Sequence, residues 1–100
     1  MNSYQLRIHP LAEFDMQHAK DWYNTKSENL GDDFMIEVEK TISPMLNNPF
    51  QFPEIIQNTR KANVNRFPYS IFYKTGANTV DLYAVFHNSR NPIIWRKRIK

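Results

Sequence analysis

The sequence predicts an α+β fold in the order β-α-α-β-β-β: an antiparallel sheet with an N-terminal helical hairpin packed on one face. Three observations predict it. Apolar residues recur at helical spacing in two consecutive stretches of the first half of the chain. Period-two alternation is confined to residues 4–9 and to the part of the chain after Thr59. Strands segregated from helices in this way imply an antiparallel sheet rather than βαβ units. Finally, residues 80–87 form a run so densely apolar that it suits a central strand covered on both faces.

The elements follow in order. In residues 4–9, Tyr4, Leu6 and Ile8 share one face of a short strand, and Arg7 turns to solvent. Pro10 is a good first residue of a helix. Ala12, Met16, Ala19 and Tyr23 then mark one helical face over residues 10–24, widened by Leu11 and Trp22. Glu13 and Asp15 near the start, and Lys20 and Lys26 near the end, suit the helix dipole. Asn29 is placed to cap a second helix, with Asp32 and Asp33 in its first turn. Leu30, Phe34, Val38 and Ile42 form its apolar face, and the short connection makes the pair an antiparallel hairpin. Pro44 should kink or stop this helix near Ser43, leaving one more turn to Asn47. Residues 47–53 read as a loop pinned by Phe50 and Phe52, and residues 54–58 carry no assignable pattern.

Residues 59–66 read as a polar strand with Ala62 and Val64 inward. Phe67-Pro68 turns it into residues 69–74, with Tyr69, Ile71 and Tyr73 on one face and Phe72 on the other. Residues 76–78 turn that strand into residues 80–87. There Val80, Leu82, Ala84 and Phe86 are expected on one face, and Asp81, Tyr83, Val85 and His87 on the other. A polar turn, His87-Asn-Ser-Arg-Asn-Pro92, follows, and then a basic run that starts at Trp95.

One hundred residues make one domain, 1–100. Fourteen per cent aromatic residues and only two glycines argue for a packed globule over disorder. The absence of cysteine excludes a disulfide frame and a thiolate metal site, and fits a reducing compartment. No metal or cofactor is expected. The N-terminus has no apolar leader segment and no stretch approaches a membrane span, so the expected location is cytoplasmic. Charge is divided unevenly. Residues 1–60 carry five Lys/Arg against nine Asp/Glu, a balance of −4. Residues 61–100 carry eight against one, a balance of +7. A basic sheet half points to a polyanionic partner, either nucleic acid or an acidic protein segment.

Function concentrates where the best strand ends, because a rigid sheet holds the loop that follows. His87, Ser89 and Arg90 stand there. The stretch Arg66-Phe-Pro-Tyr-Ser-Ile-Phe-Tyr73, followed by Ala84-Val-Phe-His-Asn-Ser-Arg-Asn-Pro92 and Trp95, resembles the RelE/ParE superfamily of type II toxin–antitoxin toxins, in particular its ParE-like branch of plasmid stabilisation proteins. Trp22-Tyr23, Leu30-Gly31, Phe34 and Asn48-Pro49 agree with it, so the resemblance spans Tyr4 to Arg98.

That resemblance implies a small growth inhibitor neutralised by a cognate antitoxin with an acidic toxin-binding segment. Operator DNA is met only through the antitoxin, and no membrane is involved. In the ParE-like mode the toxin binds DNA gyrase and performs no chemistry. Arg66, Arg90, Arg96, Lys97 and Arg98 are then the candidates for target or antitoxin binding. In the RelE-like mode the protein is a metal-independent endoribonuclease acting on mRNA in the ribosome. Cleavage by the RNA's own 2′-hydroxyl needs a base, cations on the phosphorane and an acid. Arg66 and Arg90 are candidates for the charge, and His87 or Tyr69 for proton transfer. The sequence departs from the RelE pattern in two places. Ser70 stands where those enzymes carry an arginine, and no tyrosine follows Arg90. A third mode is a degenerate, non-toxic antitoxin-binding protein. Each residue also has a plainer reading. His87 can anchor the turn, Arg66 can pair with helix acids, and Tyr69 and Tyr73 can line the core. Trp22 and Trp95 can serve packing, and the Arg96-Lys-Arg98 run can be a solvated tail.

Overall fold

The computed structural model describes residues 4–99, the side chains of Trp95 and Ile99 excepted; the packing read for Trp95 thus lies outside the described residues. The elements are β1 (Gln5–Ile8), α1 (Pro10–Lys26), α2 (Leu30–Asn47), β2 (Glu54–Ile56), β3 (Thr59–Asn63), β4 (Tyr69–Thr75), β5 (Thr79–His87) and α3 (Pro92–Ile99). One sheet has the strand order β1-β5-β4-β3-β2. The α+β class and the helical hairpin ahead of the meander are as the pattern of apolar residues implies.

The sheet is mixed rather than wholly antiparallel, because β1 runs parallel to β5. A short turn forces its two strands antiparallel, and β3, β4 and β5 obey this. No such turn ties β1 to β5, so the chain's local signals leave its direction open. The register is fixed by partners. Arg7 lies opposite Asp81, and their side chains form an ion pair at 2.7 Å.

The hairpin is set by close approach. A Cβ at Gly31 would lie 2.1 Å from the Lys20 carbonyl, so only glycine lets α2 start this near α1. Asn29 adopts a left-handed φ of 65° and its side chain makes no capping bond, contrary to its expected role. The cap comes from across the hairpin: Asn24 Oδ1 accepts from Gly31 N–H at 2.7 Å. The α2 helix passes Pro44 and reaches Asn47.

Ala12, Met16, Ala19 and Tyr23 are the buried residues of α1. Met16, Ala19 and Tyr23 meet Phe34, Val38, Ile42 and Met45 of α2 and the inner face of the sheet in one core. Two elements lay outside the sequence reading. The β2 strand pairs with β3 at the sheet edge, and all three of its residues are exposed, which erases the alternation that marks a strand. The basic run after the turn forms a helix, α3. Pro92 starts it and Asn91 Oδ1 accepts from Ile93 N–H at 3.0 Å.

The β5 strand contains a bulge. Phe72 pairs with Ala84 but Tyr73 pairs with Leu82, which leaves Tyr83 without a partner. The extra residue moves the alternation by one. Val80, Leu82 and Val85 therefore face the hairpin, while Ala84 and Phe86 join Phe72 on the opposite face. This corrects the expectation that Ala84 and Phe86 share a face with Val80 and Leu82.

Tyr73 is fully buried and its hydroxyl donates to the Pro49 carbonyl at 2.5 Å. Burial, opposed by the charge of Arg60, pushes its pKa up to about 12. Burial also raises Tyr23 and Tyr69. An unfolded tyrosine ionises near pH ~10. The native state keeps its proton longer, so this contribution is fully present below that pH and is lost as pH rises through about 12. Urea-unfolding free energy is expected to fall across this window. Tyr73→Phe should flatten the fall and lower stability at neutral pH by about 1–3 kcal/mol, because the Pro49 carbonyl loses its donor.

Candidate functional site

The bulge and the length of β1 together open a groove. Pairing of β1 with β5 ends at Ile8 and Leu82, so β1 leaves the rest of β5 uncovered on that side. Past the bulge, Val85 and His87 turn toward the same side as α1. The groove between them has a volume of about 450 Å³. Phe14, Asp15, His18 and Trp22 line it from α1, Val85, Phe86 and His87 from β5, Tyr69 from β4 and Arg90 from the turn.

The α1 wall is aromatic and exposed. Phe14 is 65% exposed and Trp22 50%; Leu11 is exposed as well. Leu11 and Trp22 thus lie outside the core stripe they were expected to widen. They belong to a second stripe, Leu11, Phe14, His18 and Trp22, running beside the buried one at the same helical spacing. The rings of Phe14 and His18 stack with centroids 5.9 Å apart, and the Lys26 ammonium lies 4.9 Å from the Trp22 ring.

Asp15 holds the open part of β5. Its carboxylate accepts from Val85 N–H at 3.1 Å. Arg98 of α3 donates to it at 2.7 and 3.3 Å, and to the Tyr83 carbonyl at 3.3 Å. The two side chains are 9% and 17% exposed, respectively. Arg98 is therefore committed inside the fold. It also lies 4.6 Å from the Phe86 ring.

His87 and Arg90 are brought together; Arg66 is not among the residues lining their groove. Ser89 N–H donates to His87 Nδ1 at 3.0 Å, and the Ser89 hydroxyl lies 2.8 Å from the same nitrogen. A neutral His87 ring then carries its proton on Nε2. The ring meets Tyr69 edge-on at 5.2 Å. Burial raises the Tyr69 pKa, the charge of Arg90 opposes this and that of Asp15 adds to it. Tyr69 is thus a neutral phenol at physiological pH. The Arg90 guanidinium lies 4.8 Å from the Phe86 ring, and its backbone N–H donates to the His87 carbonyl at 2.9 Å. Among the described residues Arg90 has no carboxylate partner.

Arg66 has a left-handed φ of 72° and its guanidinium lies 3.5 Å from Glu37 of α2. Arg96 and Lys97 are exposed on α3. Ser70 is 1% exposed, its hydroxyl held by Asn63 and Asn88. Among the described residues, no group of three or more His, Cys, Asp or Glu could hold a metal ion, and no helix is long and apolar enough to cross a membrane.

No protein-family model matches the chain, and no curated protein matches it. Solved structures do. The chain is similar to one from the chromosomal ParDE TA system from P. aeruginosa, with a TM-score of 0.75, 13% identity, and coverage of 85% of this chain and 96% of that one. It is also similar to a chain of the E. coli DinJ-YafQ toxin-antitoxin complex, with a TM-score of 0.63, 11% identity, and coverage of 87% and 94%. The chain thus shares its fold with these two solved chains.

The Asp15–Arg98 pair gives a test of what holds the groove's floor. Breaking one partner of a largely buried pair strands the other charge. Arg98→Met and Asp15→Ala are each expected to lower urea-unfolding stability by about 2–4 kcal/mol, with a coupling of about 1–3 kcal/mol in the double-mutant cycle. A coupling below about 0.5 kcal/mol would reduce the contact to an ordinary surface pair.

Proposed function

We propose that this chain is the toxin of a type II toxin–antitoxin system, neutralised by a cognate antitoxin in the cytoplasm. We further propose that it acts by binding DNA gyrase without chemistry of its own. The toxin reading rests on one observation: likeness to a chain of the ParDE TA system over 96% of that chain. The binding mode draws on the distribution of charge. Arg66 is paired with Glu37, Arg98 with Asp15, and Ser70 is buried, so the cations that an RNA-cleaving site needs do not converge. Among the described residues Arg90 has no carboxylate partner, and Arg96 and Lys97 are exposed on the neighbouring helix.

One arrangement favours mRNA cleavage in the ribosome. His87 and Arg90 line one groove, which brings a candidate for proton transfer beside a charge. Induced expression in a bacterial host decides between the modes. Growth should arrest, purified gyrase should lose supercoiling activity in the presence of the protein, and translated mRNA should stay intact. Arg90→Ala should reduce growth inhibition about tenfold or more, with stability changed by less than about 0.5 kcal/mol, since Arg90 is exposed. New mRNA ends at ribosome positions, abolished by Arg90→Ala, would make the chain an interferase. Absence of arrest would leave a non-toxic antitoxin-binding protein.

A further inference from the structure

We propose that Ser89 is a nucleophilic serine and the acceptor of a phosphoryl group, with His87 as its base and Arg90 as the cation that holds the product. The reactivity stands apart from the toxin reading; only its effect on growth rests on that reading.

The direction of one hydrogen bond carries the proposal. Ser89 N–H already donates to His87 Nδ1 at 3.0 Å, so that nitrogen carries no proton. The Ser89 hydroxyl, 2.8 Å from the same nitrogen, therefore donates to it as well. A hydroxyl whose proton is aimed at an imidazole lone pair is the pairing that makes serine a nucleophile. The backbone holds the two side chains in place. Arg90 N–H donates to the His87 carbonyl at 2.9 Å, which closes a turn with Asn88 and Ser89 at its centre. Asn88 ties that turn to the start of β4: its N–H donates to the Pro68 carbonyl at 2.7 Å, and its side chain meets the buried Ser70 hydroxyl. Ser89 and Arg90 are both exposed, so a donor reaches the hydroxyl from solvent.

Charge decides which group Ser89 takes. An acyl group would be neutral and would make no use of Arg90. A phosphoryl group adds a charge of about −2. It does so one residue from a guanidinium that lies on the Phe86 ring and, among the described residues, has no carboxylate partner. Asp15, the carboxylate in the lining of the groove, is held by Arg98. In the transfer, Ser89 Oγ bonds to the terminal phosphorus of a nucleoside triphosphate presented by a second enzyme. The bond from that phosphorus to the bridging oxygen breaks, and nucleoside diphosphate leaves. The hydroxyl proton passes to His87 Nδ1 and from there to solvent. The bound phosphate then takes up the charge of Arg90, which a target no longer meets.

The test treats the full chain with a fluorophosphonate, which a nucleophilic serine attacks at phosphorus with loss of fluoride, and maps the label by mass spectrometry. Ser27 and Ser43 are exposed and serve as internal references. Ser89 should label about a hundredfold faster than either, the low end of what a positioned base supplies. His87→Gln should bring it down to their rate, and circular dichroism checks that this variant folds. A Ser89 rate within about tenfold of the references, or one that folded His87→Gln keeps, would overturn the proposal. Phosphoserine installed at position 89 during translation should weaken growth inhibition about tenfold or more, as Arg90→Ala does. Undiminished inhibition by the phosphoserine form would overturn the role given to Arg90. Selective labelling of a native chain that causes no growth arrest sinks the toxin reading and spares the serine; arrest without selective labelling does the reverse.

Discussion

The candidate site depends on one extra residue in β5. Tyr83 has no partner in β4, and that moves every later side chain of the strand to the other face. Without the bulge, Val85 and His87 would turn away from the hairpin, and Phe86 would turn into the core. The bulge comes just after β1 has stopped pairing. Asp15 and Arg98 take up the edge at this point, joining α1, β5 and α3 in a single contact.

This arrangement separates two kinds of cation. Arg66 and Arg98 face carboxylates of the helices, Glu37 and Asp15. Arg90 sits on an aromatic ring in a turn fixed by His87 and Ser89. Arg98 touches the same Phe86 ring, so what separates the two is the carboxylate of Asp15, which Arg98 has and Arg90 lacks. His87 illustrates how one residue serves two ends. Its Nδ1 anchors the turn, as its plainer reading has it, and its ring lines the groove.

Much of the fold was legible because its signals are local. The buried stripe of α1 and the meander's turns are written in spacing and turn residues. The groove was harder to read. Leu11, Phe14, His18 and Trp22 recur every three or four residues, as do Ala12, Met16, Ala19 and Tyr23, and helical period alone does not say which stripe meets the sheet. The smaller side chains mark the buried one, since Ala12 and Ala19 allow close packing. The bulge was illegible for a different reason. A run as apolar as residues 80–87 satisfies either register, so its faces are decided by partners distant in sequence. The turn's His87 and Arg90 stood out as loop-borne polar residues after a strand. The commitment of Arg98 to Asp15 links two helices with no local signal in common.

Amide hydrogen exchange at Val85 tests this account most directly. If Asp15 occupies the open edge of β5, the Val85 amide is protected like the ladder amides of the β4–β5 pair. Asp15→Ala should then remove protection at Val85 while leaving Ile71 and Phe72 protected. A Val85 amide that already exchanges in the native chain at the rate of an exposed edge, or one that Asp15→Ala leaves unchanged, would contradict it.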